Sequence, residues 1–210
     1  MTVTEATGRR RGWVVVTLVV GAAALAFTLN RPTGDDLFLV TGYAMAAVWA
    51  GGALLSGPIP RSDAGAGRAA LIGAAVGAVL LGACLVVAVL IADVPALAEP
   101  ADELLEHADG ALLPVLLMTA VNGVGEEMFF RGALHDSLPR RWAWLVSTAV
   151  YTLTTAGSGI ALLVLAAAML GGVTAFLRER TGGLAAPIAT HLVWSLGMLL
   201  LLPHALAIGR

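Results

Sequence analysis

Residues 69–92 read "AALIGAAVGAVLLGACLVVAVLIA". This uncharged run exceeds the ~20 residues that a helix needs to cross a hydrocarbon layer about 30 Å thick. Backbone N–H and C=O groups have no water to bond in lipid, so a spanning run of this kind must be helical. Outward from it the pattern repeats. Seven apolar segments can be marked, at 13–30, 37–57, 69–92, 111–134, 142–157, 160–177 and 184–202. The fifth is short, and it ends at "TTAGSG" (154–159). Two glycines there favour a break, so the fifth and sixth segments read as two helices joined by a Gly-Ser turn, not as one re-entrant unit.

Composition agrees. The 210 residues are 59% hydrophobic and 12% charged, with a mean hydropathy of +0.89. A soluble domain is about a quarter charged. The expected fold is therefore all-α, a polytopic transmembrane helical bundle of about seven spanning helices, with the lipid bilayer as its solvent. A net charge of -2 gives no reason to expect a nucleic-acid partner. Cys84 is the single cysteine, which excludes a disulfide framework and a thiolate metal site. The front, "RRRGWVVVTLVVGAAALAF" (9–27), has the layout of a signal peptide. Its apolar part is longer than the usual 7–15 residues, so it is read as an uncleaved first helix.

The arginines orient the chain. All twelve basic residues are arginine. With a cytoplasmic amino terminus, Arg9, Arg10, Arg11, Arg61, Arg68, Arg140, Arg141, Arg178 and Arg180 fall inside, and only Arg31 and Arg210 fall outside. That satisfies the positive-inside rule at every crossing and places the carboxyl terminus outside. The expected location is the cell membrane. The connection "DVPALAEPADELLEHADG" (93–110) holds six acidic residues and no arginine. It belongs outside as a partly amphipathic helix, with Leu104 and Leu105 dipping toward the interface. "GAAVG" (73–77) is a small-xxx-small pattern, read as close packing within one bundle.

One stretch resists the lipid reading. In "VNGVGEEMFFRGALHDSLPRR" (121–141) two adjacent glutamates end an apolar run. A carboxylate at mid-membrane costs about 2.5–3.5 kcal/mol on insertion scales. Glu127 and Arg131 are four apart, so they can pair on one helix face. Glu126 is turned about 100° from Glu127, which leaves it for chemistry. A desolvated carboxylate is a stronger base than a solvated one, suited to taking a proton from water. Solvation of both glutamates at the inner boundary is the other reading, since Arg131, Arg140 and Arg141 are close by. His191 lies inside the last apolar segment, with Ser195 one turn later on the same face. An intramembrane histidine points to a task, although one bonded to a helix backbone would also be tolerated. His107, His135 and His204 read as solvated or interfacial. His135 stands nine residues past Glu126, about 13 Å along a continuous helix.

With these residues in place, the chain resembles the CPBP intramembrane proteases, a family that includes the type II CAAX prenyl endopeptidases and bacterial Abi proteins. The E-E-x-x-x-R motif is matched by Glu126, Glu127 and Arg131 in "EEMFFRGAL". The H-x-x-x-N or H-x-x-x-D motif is matched at His191 in "RERTGGLAAPIATHLVWS", with Ser195 at its fourth place. The likeness covers about residues 112–202. It implies a protease core over 111–202, preceded by transmembrane helices and an acidic outer loop over 1–110 and followed by a short tail, 203–210. The family's F-x-x-x-H motif is altered. The corresponding "YTLTT" has Tyr151 at the aromatic place and Thr155 at the histidine place. By resemblance, Glu126 activates a water and His191 helps to hold it or the oxyanion. Glu127 and Arg131 brace the helix, and Thr155 and Ser195 complete the polar set. The implied substrate is a membrane-associated peptide or protein segment near the inner leaflet. If the protein is a metalloendopeptidase, a divalent metal such as zinc would sit on Glu126 and His191, but a hydroxyl at Thr155 is a poor replacement for an imidazole ligand. The altered motif also leaves open a catalytically inactive member that acts as a membrane binding or scaffold protein. A transporter is disfavoured, because the front half has no intramembrane carboxylate to mirror Glu126.

Overall fold

A computed structural model describes residues 3–61, 65–108 and 111–210. The side chain of Arg9 and residue Asp109, both counted in the charge pattern above, lie outside the described residues. Among these residues eight helices follow one another: α1 (Val3–Leu29), α2 (Leu37–Ser56), α3 (Ala66–Ile91), α4 (Pro95–Glu106), α5 (Leu112–Ser137), α6 (Arg140–Thr155), α7 (Ala161–Thr181) and α8 (Ala185–Gly209). Six of them, all but α4 and α6, are long and apolar enough to cross a membrane. The chain is a multi-pass membrane protein.

Helix α6 has only 16 residues, yet its neighbours show that it also runs from end to end. It starts just past Asp136, which is paired with Arg10 at 3.4 Å and with Arg178 at 2.9 Å. It ends in a tight turn over Ala156–Ser158, where the Asn30 amide donates to the Gly157 carbonyl at 3.0 Å. From Arg10 to Asn30, α1 rises about 30 Å, and α6 with its turn rises about as much. Gly159 closes the turn at φ 74°, a left-handed conformation that glycine adopts without strain. The fifth and sixth apolar segments are thus two helices.

This traffic leaves the ends of the chain on opposite faces. Arg10, Arg140 and Arg178 share one face with Asp136. The other face carries the Arg31–Asp35 and Arg210–Asp102 pairs. Reporter fusions are expected to find the amino terminus in the cytoplasm and the carboxyl terminus outside. Both ends on the same side would remove this arrangement, with α6 as the first suspect.

Packing departs from expectation at two places. Leu105 on α4 does not dip toward lipid; it packs on a cluster of Ala88, Ala92, Ala98, Ala205 and Leu206. For the same reason residues 203–209 are no loose tail. They continue α8 past Pro203, because Ala205 and Leu206 bury against α3 and α4. The "GAAVG" pattern does hold α3 against α8. A Cβ at Gly73 would fall 2.2 Å from the Ala186 carbonyl oxygen, and one at Gly77 2.7 Å from that of Thr190. The Thr190 hydroxyl donates to the Gly73 carbonyl at 2.8 Å across this contact. Close backbone approach of this kind seats α8, and with it His191, in the bundle.

Candidate active site

The site grows from α5. From Gly125 to His135 every residue but Met128 is buried, so this part of the helix is surrounded by protein on all sides. Its middle, Glu127–Leu134, winds as a wide π turn. Wide turns of this kind interrupt α-helices most often at functional sites. The aromatic side chains around it lock it in place. Trp49 lies 5.0 Å from both Phe129 and Phe130, and Phe130 meets Tyr151 edge-on at 4.8 Å. Offset and edge-on aromatic pairs add about 0.5–1.5 kcal/mol each beyond the area they bury.

Two carboxylates, a guanidinium and an imidazole meet here, with a tyrosine hydroxyl beside them. Arg131 Nη1 lies 3.3 Å from Glu127 Oε1, and neither side chain is exposed. The same oxygen of Glu127 is 2.9 Å from His191 Nδ1. A carboxylate only accepts, so the proton of the imidazole is assigned to Nδ1, and Nε2 turns toward Glu126. His191 Nε2 and Glu126 Oε2 are 3.9 Å apart. Tyr151 donates its hydroxyl to Glu126 Oε2 at 2.8 Å. The two glutamates thus diverge, one toward Arg131 and one toward Tyr151, with His191 between them. Gly123 makes room for the imidazole: a Cβ there would lie 3.1 Å from His191 Cδ2.

Exposure separates the four groups. Glu127 and Arg131 are sealed, whereas the Glu126 side chain keeps 11% and that of His191 7% of its surface. Glu126 and His191 thus keep a small accessible surface, and the ion pair behind them keeps none.

The other expected site residues make no hydrogen bond to this group. Thr155 is buried and not lipid-facing, but its hydroxyl donates to the Tyr151 carbonyl of its own helix at 3.0 Å. The Ser195 hydroxyl is buried and makes no hydrogen bond among the described residues. His204 is exposed as expected. His135 is buried and His107 is half-buried. His135 is 9% exposed and lies between Asp136, at 3.6 Å, and Glu179, at 3.9 Å. His107 sits against Phe38, with its ring nitrogens 3.1 Å from the carbonyl oxygens of Glu103 and Arg31. Residues distant in sequence give part of this cover, Glu179 to His135 and Phe38 to His107.

Two contacts escaped the sequence reading. One is His191 to Glu127, across 64 positions. The other is the Tyr151 hydroxyl, whose one sequence signal is a tyrosine where the resembled motif has phenylalanine.

The donors present do not fit a catalytic zinc, which takes three protein ligands. Glu126 and His191 offer two. The Thr155 hydroxyl is spent on a carbonyl, and Glu127 is turned to Arg131 and His191 through Oε1. No group of three His, Cys, Asp or Glu able to hold a metal occurs among the described residues.

Residues 108–197 match the model of a protein family, type II CAAX prenyl endopeptidase Rce1-like. The match spans both glutamates, Arg131, Tyr151, Thr155, His191 and Ser195. No curated protein and no solved structure matches the chain.

Proposed function

We propose that this chain, whose residues 108–197 match the type II CAAX prenyl endopeptidase Rce1-like family model, cleaves peptide bonds in membrane-associated substrates with a water activated by Glu126. One observation carries the reading: of the four clustered groups, only Glu126 and His191 keep accessible surface. Glu126 takes a proton from the water as the water oxygen bonds to the substrate carbonyl carbon. It then gives that proton to the leaving nitrogen as the C–N bond breaks. His191 is held by Glu127 through Nδ1, in the manner of a carboxylate that orients an imidazole. When protonated, its Nε2–H faces the place where the oxyanion develops. Arg131 pairs with Glu127 and holds it in position. No step is routed through a metal.

The site lies near the arginine-rich end of the bundle, because Arg178 Nε donates to the Arg131 carbonyl at 3.0 Å. With the amino terminus in the cytoplasm, substrates would be cut near the inner leaflet of the cell membrane. Purified protein in proteoliposomes, given candidate membrane peptides beside a Glu126→Ala control, tests the function. Cleavage that persists in the control would remove Glu126 as the base.

A second reading, a binding or scaffold protein without activity, is favoured by one observation. Thr155 offers no imidazole, and its hydroxyl is turned onto its own backbone. Thr155→His separates the two. The position is buried, so the larger ring costs about 1–3 kcal/mol of packing. Under the enzyme reading it adds a base beside the cluster and raises proteolysis, with Ser195→Asn adding to the effect. A folded double variant that stays silent, beside a silent parent, would favour the scaffold.

A further inference from the structure

The proposed chemistry rests on a carboxylate that must be held at one angle, and the residue expected to help with this is absent. The Thr155 hydroxyl is committed to a backbone carbonyl. One turn earlier on the same helix, the Tyr151 hydroxyl reaches Glu126 Oε2 at 2.8 Å. We infer that Tyr151 is the positioning residue for Glu126, doing from position 151 what the sequence lacks at position 155. The inference rests on the reading of Glu126 as the base.

The ring is built to hold its hydroxyl still. Phe130 meets it edge-on at 4.8 Å, and the Arg131 guanidinium lies over its face at 4.5 Å. Gly171 on α7 leaves room for both, since a Cβ there would fall 3.1 Å from Tyr151 Cδ1 and 3.1 Å from Arg131 Nη2. A tyrosine has two side-chain torsions, so little freedom remains to be lost once the ring is clamped. A neutral O–H donated to a carboxylate is among the stronger hydrogen bonds. It fixes Oε2 on the side facing His191 Nε2, so the two reacting groups stay in register. Arg131 links the halves of the site, since it pairs with Glu127 and covers the ring that holds Glu126.

Tyr151→Phe tests this while keeping the clamped ring. Two quantities are read on the full-length protein in proteoliposomes: the kinetics of cleavage, and the yield of a hydrophobic carbodiimide adduct at Glu126 by mass spectrometry. The expected result is a fall in kcat of about tenfold with KM unchanged, and a several-fold rise in adduct, because the carboxyl is no longer held. A ring kept only for packing would leave both at wild-type values in a folded variant, and that outcome overturns the inference. If Tyr151→Phe does not fold, 3-fluorotyrosine at 151 keeps the ring and strengthens the donor. It is expected to lower the adduct yield, and an unchanged yield again overturns the inference. The adduct needs no proteolysis. Should Glu126→Gln cleave as well as wild type, the proposed base fails, while the adduct still decides whether Tyr151 holds Glu126.

Discussion

Arg131→Met is expected to lower the stability of the protein by about 3–5 kcal/mol, the cost of removing one partner of a fully buried ion pair. Glu127 has no exposure and lies within 3.3 Å of Arg131, so it cannot turn to water when the guanidinium goes. The loss should spread beyond the pair. Arg131 also covers the Tyr151 ring at 4.5 Å, and Glu127 holds His191 at 2.9 Å. The measurement is thermal unfolding in detergent for Arg131→Met, Glu127→Gln and the double variant. The double variant should be more stable than the sum of the two single losses, because an uncharged pair leaves no charge buried alone. Single variants that melt with the wild type would mean that the pair is solvated in the membrane-embedded protein.

Glu126→Gln should do the opposite: remove activity and spare the fold. The amide keeps nearly the shape of the carboxylate and an oxygen to accept the Tyr151 hydroxyl, yet it cannot take a proton from water. Loss of a general base costs about 10²–10⁴-fold in rate. The adjacent glutamate gives the contrast, since Glu127→Gln strands Arg131 and should unfold the protein more easily. Two neighbouring positions thus separate into one that governs rate and one that governs stability. Equal and negligible effects at both would return the pair to the aqueous boundary, and with it the case for catalysis at this place would fall.

The span-by-span architecture was readable from local composition. Transfer of an apolar helix into lipid depends on that segment alone, so residues 69–92 announce α3 without reference to any neighbour. The same holds for the Glu127–Arg131 contact, which needs only helical spacing. The family motifs were legible because they too are local strings. The tail was not, since nothing in residues 203–210 announces that α3 and α4 will cover Ala205 and Leu206.

The site itself is made of contacts between helices far apart in the chain. His191 could have bonded a backbone carbonyl, and it meets Glu127 because Gly73 and Gly77 let α8 settle deep against α3. Tyr151 could have been one more core aromatic, and it reaches Glu126 because α6 packs against the buried end of α5. Thr155 lies on the right helix, but its hydroxyl is short enough to find its own backbone first. Helical periodicity sets which face a side chain leaves from. Where that face ends up depends on the depth and angle at which whole helices pack, and those follow from the summed fit of many side chains rather than from any one stretch of sequence.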